Sequence, residues 1–220
     1  MKKKVKNYRF LTRKLRRLAG KTLYRQEMDE KNAIFVHIPK AAGTSVCEAV
    51  FGTPNSSHYT ARCYRSDNPK KFNRYIKFSV VRNPYDRIIS AYSYLLNGGS
   101  RLSDKDRRFR ERYLSNFDGL NDFVMNGLGR EECRQRPHFD PQYEYLFDDD
   151  CSTLIVDYVE KIEQMEQFSD HLGRLLGAEI VIDHQNKTNG KCARLELTDQ
   201  AKQRIYEIYR LDFELLGYDK

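Results

Sequence analysis

A chain that runs Ala33-Ile34-Phe35-Val36-His37-Ile38, meets Pro39, and turns through Lys40-Ala41-Ala42-Gly43 into Thr44-Ser45 has few folds open to it. The apolar, β-branched run suits a buried strand, and Pro39 stops it. From Thr44 to Phe51 the period becomes helical, with Val46, Ala49 and Val50 on one face. The same hand-over recurs. Phe78-Ser79-Val80-Val81 reads as a second buried strand, and Asn83-Pro84 follows as an N-cap with proline at the first helical position. Ile88, Ile89, Tyr92, Leu95 and Leu96 give that helix its apolar stripe, and Asn97-Gly98-Gly99-Ser100 ends it.

Further along, residues 101–116 are highly charged and suit an exposed helix or loop, while residues 120–128 suit a short helix ended by Gly129. Residues 154–159 read as a third strand, Met165 to Leu176 as a helix closed by Gly177, and Ala201 to Leu216 as the last helix. Strands alternating with helices predict an α/β fold with a mostly parallel central sheet flanked by helices.

The charge is unevenly spread. Residues 1–31 hold twelve Lys/Arg against three Asp/Glu, a net +9, whereas the other 189 residues come to −1. Residues 1–31 therefore read as a basic arm or helix and residues 32–220 as the folded domain. The arm is either solvated or packed on the domain, or it meets an anionic membrane or an acidic partner. A nucleic-acid partner is not expected, because the folded body carries no positive excess. The five cysteines are odd in number, widely spaced and without a CxxC pair. That pattern predicts neither a disulfide framework nor a metal site, and it suits a cytoplasmic location, peripheral at the inner membrane face if the arm binds lipid. No apolar run approaches the ~18 residues of a membrane span. Arg13, Lys14, Arg16 and Arg17 break up Leu11, Leu15 and Leu18, unlike a secretory signal.

The two strand-to-helix junctions carry the chemistry. A helix start offers free N–H groups and the positive end of a dipole, so the first junction is an anion site. Ala41, Ala42 and Gly43 let the backbone come close, Lys40 adds a charge, and Thr44 and Ser45 add hydroxyls. This is not GxxxxGK[ST], since Lys40 precedes Gly43 by three residues. At the second junction Arg82 ends a buried strand, where ligands of open α/β sheets bind, and Ser90 lies about two turns into the next helix. The pair suits a second phosphate, although Arg82 next to Asp86 also suits a local ion pair.

His37-Ile38-Pro39-Lys40-Ala41-Ala42-Gly43-Thr44-Ser45 resembles the 5′-phosphosulfate loop of the sulfotransferases, and the segment from Val81 to Tyr92 resembles their 3′-phosphate motif. The branch it resembles holds the carbohydrate sulfotransferases similar to heparan sulfate 2-O-sulfotransferase and the chondroitin sulfotransferases, with their soluble bacterial relatives. Weaker likenesses lie at His58-Tyr59-Thr60-Ala61, Pro141-Gln142, Asn186-Lys187-Thr188 and from Asp212 to Tyr218. The resemblance implies a P-loop-kinase-like fold and 3′-phosphoadenosine 5′-phosphosulfate as donor, with adenosine 3′,5′-bisphosphate as product and no metal. The acceptor it implies is a hydroxyl of a glycan or glycolipid. It also implies donor contacts from Lys40, Ala42, Gly43, Thr44, Ser45, Arg82 and Ser90, with Lys187, Thr188 and Lys191 closing over the nucleotide. Lys40 would neutralise the leaving group, and the acceptor would need a base. His58 is the first candidate and His138 the second, while His37, inside a strand, reads as core or support. Arg130, Arg134 and Arg136 suit either an acidic glycan or a solvated face. Two other classes stay open: a kinase or NTPase with a related loop, and a binding protein acting through residues 1–31.

Overall fold

The computed structural model describes residues 22–54, 57–100, 103–182 and 195–220. Their order begins with helix α1 (Gln26–Lys31), strand β1 (Ala33–Phe35) and helices α2 (Gly43–Phe51), α3 (Ala61–Asp67) and α4 (Pro69–Arg74). Strand β2 (Ile76–Val81), α5 (Pro84–Leu96), α6 (Asp104–Arg112), α7 (Leu120–Asp122), α8 (Glu131–Arg134) and α9 (Tyr143–Leu146) follow. Strand β3 (Tyr158–Lys161), α10 (Met165–Leu176) and α11 (Asp199–Leu216) complete it. The strands form one parallel sheet in the order β1-β2-β3, the α/β layer expected from the alternating pattern.

Central β2 is nearly all buried because its neighbours and the helices cover both faces. Ala33 pairs with Ile76 and Phe35 with Phe78. The pairing runs slightly past β1, since the Val36 N–H donates to the Phe78 carbonyl at 2.9 Å and the Ser79 hydroxyl donates to the Val36 carbonyl at 2.7 Å. Beyond Val36 the chain leaves the sheet, so the strand is shorter than the apolar run to Ile38.

The third strand lies later than the expected 154–159. Phe78 to Val81 pair with Tyr158 to Lys161, while Leu154 forms only an isolated bridge with Phe147. Asp157 sets the register: its N–H donates to the Lys77 carbonyl at 2.8 Å, and its carboxylate receives the Lys77 N–H and ammonium, each at 2.8 Å. Residues 120–128 also depart from a plain helix. After Asp122 the turn widens over Phe123–Gly127, and the Gly127 carbonyl meets the Tyr113 hydroxyl at 2.8 Å. Helices α3 and α4 were not anticipated, yet Asn68-Pro69 repeats the Asn83-Pro84 signature. Both asparagine side chains accept a hydrogen bond from the helix start they cap.

The core takes in side chains from before residue 31. Leu23, Tyr24 and Met28 are buried with Ile34, Phe35, Val46 and Phe78, and α1 lies against β1 and α2. Residues 1–21 of the basic arm lie outside the described residues. A second cluster joins α5 to α11 through Ile88, Tyr92, Phe123, Ile205, Tyr209 and Phe213. No helix among the described residues is long and apolar enough to cross a membrane.

Met28→Ala tests whether this segment belongs to the domain. Emptying a buried methionine site costs about 2–5 kcal/mol, which lowers the Tm of a chain this size by on the order of 10 °C. Differential scanning calorimetry should show that fall, and a Tm unchanged within error would return residues 22–31 to the arm.

Candidate active site

The loop between β1 and α2 is built on backbone that side chains normally avoid. Lys40 has φ 70° and Ala42 has φ 56°, both left-handed without being glycine. Two such residues in one short turn rotate successive N–H groups toward a common side, as anion-binding nests do. Ala42 caps α2 with no side-chain hydrogen bond, and the first helical bond runs from the Val46 N–H to the Ala42 carbonyl at 3.2 Å. The N–H groups of Gly43, Thr44 and Ser45 find no acceptor among the described residues, as the first turn of a helix leaves them.

Gly43 is required for a reason its place in a turn does not reveal. Its φ is ordinary, but a Cβ there would fall 1.9 Å from His37 Cδ2 and Nε2. The imidazole underlies the loop and supports it from below. His37 is buried, stacks on Phe35 at 5.6 Å, and lies 4.4 Å from the His58 ring. Burial, with the charges of His58 and Lys40 adding to it, holds His37 well below the usual histidine range.

Lys40 and Arg82 meet at this loop from neighbouring strand ends. The Arg82 guanidinium donates to the Lys40 carbonyl at 3.5 Å. Burial, reinforced by the Arg82 charge, pulls the Lys40 ammonium down to about 8. Its Nζ lies 3.9 Å from the centre of the Tyr94 ring. Among the described residues no carboxylate pairs with Lys40 or with Arg82, so the local partner Asp86 does not engage Arg82. Two neighbouring cations with no carboxylate partner among the described residues, beside a row of free N–H groups, suit a polyanion chemically.

His58 Nδ1 lies 3.4 Å from the His37 carbonyl, which can only accept, so a proton on Nδ1 suits that contact. The His138 ring lies 5.3 Å from the Tyr94 ring, tilted by 35°. Burial, aided by the charges of Lys40, His58 and Arg136 and opposed by Asp106, brings His138 down to about 4. Its Nδ1 is buried without a hydrogen-bond partner among the described residues. Lys40, His58 and His138, far apart in the chain, thus act on one another through space. Among the described residues no three His, Cys, Asp or Glu side chains cluster as metal ligands.

Comparison with known proteins gives the family. The model of the sulfotransferase family matches residues 27–219. The chain belongs to the sulfotransferase family. It is similar to carbohydrate sulfotransferase 11 of Rattus norvegicus, 23% identical over an alignment 251 positions long that takes in 94% of this chain and 71% of the relative. No solved structure matches.

The remaining sequence candidates of this sulfotransferase fall out as follows. Thr44 is exposed, and Ala42, Ser45 and Ser90 are partly buried. Ser90 lies two turns into α5, and no hydrogen bond joins it to Arg82. Lys187, Thr188 and Lys191 lie outside the described residues. Arg130 and Arg134 are exposed, but Arg136 faces inward: it pairs with Asp106 at 3.1 Å and covers the Phe109 ring at 4.7 Å.

Sequence reasoning missed Tyr94 and the buried Arg87. Arg87 donates to the His138 carbonyl at 3.1 Å and to the Asp140 carbonyl at 2.7 Å, fastening the strip that carries His138. A signal existed, because Arg87 shares the buried face of α5 with Pro84, Ile88, Ala91 and Leu95. A charge in that stripe needs internal partners.

Two outcomes check the site. Gly43→Ala must displace His37, so it should cost about 1–3 kcal/mol, as overpacking does, and weaken anion binding; calorimetry and a nucleotide titration read both. Lys40 is cationic below about pH 8 and neutral above it. Affinity for adenosine 3′,5′-bisphosphate should therefore fall as pH rises through that value, and Lys40→Arg, which stays charged, should flatten the profile.

Proposed function

We propose that this sulfotransferase moves a sulfuryl group from 3′-phosphoadenosine 5′-phosphosulfate to a hydroxyl of a carbohydrate or glycolipid acceptor. The observation that carries the reading is the pairing of Lys40 with Arg82 beside the start of α2, two cations with no carboxylate among the described residues to answer them. The donor's groups fit this set. The N–H groups of Gly43, Thr44 and Ser45, behind Ala42, suit the 5′ side. Arg82, with Ser90 farther along α5, suits the 3′-phosphate. Lys187, Thr188 and Lys191 complete the site by their likeness to the family motif.

The donor supplies an activated sulfuryl group, and transfer releases adenosine 3′,5′-bisphosphate. The chain's own residues do the rest. Lys40 neutralises charge that gathers on the leaving phosphate oxygen. One charge-assisted hydrogen bond of this kind is worth about 1.5–3 kcal/mol, or on the order of 10–100-fold in rate. His58 takes the acceptor proton on Nε2, because its Nδ1 is held by the His37 carbonyl. His138 is the second candidate, neutral at pH 7 because burial holds it near 4. The carbohydrate acceptor is supported by the likeness to carbohydrate sulfotransferase 11. The cytoplasmic location and the contact of residues 1–31 with anionic lipid rest on cysteine usage and on the +9 charge of that segment.

Thermal shift with two nucleotides tests the donor site. Adenosine 3′,5′-bisphosphate should raise the Tm well above the shift given by adenosine 5′-phosphate, and equal shifts would refute the role of Arg82. A radiolabelled-sulfate transfer screen over glycans and glycolipids tests the reaction. In that assay His58→Ala should lower turnover about 10²–10⁴-fold, the usual worth of a general base, while bisphosphate binding persists. Full activity in that variant would move the base to His138.

A further inference from the structure

Arg82 is the first residue beyond β2, and the ladder with β3 ends one residue earlier, at Val81 and Lys161. Its main-chain groups are nevertheless satisfied. The Gln142 carboxamide takes the place of a neighbouring strand: Oε1 accepts the Arg82 N–H at 3.0 Å, and Nε2 donates to the Arg82 carbonyl at 2.8 Å. Gln142 is fully buried, and its own position is fixed in turn. The buried Asp212 carboxylate, on α11, receives the Gln142 N–H on Oδ2 and the Tyr143 N–H on Oδ1, both at 2.9 Å. A chain of paired hydrogen bonds thus runs from the last helix to the arginine at the end of the central strand. It gathers Pro141-Gln142 and the segment from Asp212, two likenesses that the proposed chemistry leaves without a task.

We propose that Gln142, held by Asp212, is the positioning residue for Arg82 and sets the enzyme's demand for a 3′-phosphate on the nucleotide. The inference rests on the donor-site reading, in which Arg82 meets that phosphate. An arginine selects an anion only while its stem leaves the backbone in one direction. At a strand end with no further neighbour, the carboxamide is what fixes that direction. Neither Gln142 nor Asp212 is assigned a contact with the nucleotide; both act through the Arg82 main chain.

The test compares two nucleotides by isothermal titration calorimetry. Gln142→Met keeps length and approximate volume and removes both hydrogen bonds to Arg82. It should weaken adenosine 3′,5′-bisphosphate about tenfold, as the loss of one charged hydrogen bond does, and leave adenosine 5′-phosphate nearly unchanged. In an Arg82→Ala background the same substitution should no longer alter the ratio of the two affinities. Asp212→Asn turns one acceptor into a donor against an N–H group, so it should shift the ratio in the same direction; it carries the comparison if Gln142→Met does not fold. Equal weakening of both nucleotides, an unchanged ratio, or the same ratio loss without Arg82 would overturn the proposal. A wild-type protein that binds both nucleotides equally would instead sink the donor-site reading, and the proposal with it.

Discussion

The parallel pairing of β1 with β2 is the constraint on which the site depends. Because the two strands run the same way and in register, both end at the same edge of the sheet. Each then hands over to a helix at that edge, and each helix start brings its cation along. Lys40 and Arg82 meet there although 41 residues lie between them in the chain. The Ser79 hydroxyl and the Val36 N–H prolong the pairing just past β1, which fixes where the loop departs. His37 follows immediately and fills the space under Gly43. Alignment of two short strands thus sets the floor, the edge and the charge of the site.

The site concentrates arrangements that cost free energy. Two non-glycine residues hold positive φ in one turn, Lys40 is partly buried beside a like charge, and His138 Nδ1 has no partner among the described residues. Local strain of this kind costs about 1–3 kcal/mol per residue. Around it hydrogen bonds from two helices hold the backbone in place. Arg87, fully buried, fastens the His138–Asp140 strip from one side by its carbonyls. Asp212 fastens the neighbouring N–H groups from the other. Burial pushes the Asp212 carboxyl up, and the nearby Arg87 charge opposes that push. Neither ion is stable there alone, which ties the strip between them to both α5 and α11.

Much of the fold was legible because its signals are local. The apolar runs before Pro39 and before Asn83-Pro84, the helix closed by Gly177 and the stripe of α11 all report the environment of a few neighbouring residues. What failed was register and reach. The third strand shifted to Tyr158–Lys161 because Asp157 finds Lys77, a partner 80 residues away that no local period reveals. Tyr24 and Met28 join the core from within a basic segment, and charge summed over that segment hides single buried side chains.

For the site, the sequence alone singled out the residues whose chemistry suits an anion. A lysine before a small-residue turn and an arginine after a buried strand are local patterns, and they point to anions wherever the helices begin. Only the tertiary structure decided which of these residues face one another. It put Tyr94 under Lys40, His37 beneath Gly43, and Gln142 against the Arg82 backbone. It also turned Arg136 inward, away from any role as a surface charge. The physical reason is that residue type and spacing are carried along the chain, whereas desolvation and hydrogen-bond partnership belong to groups that folding alone brings together.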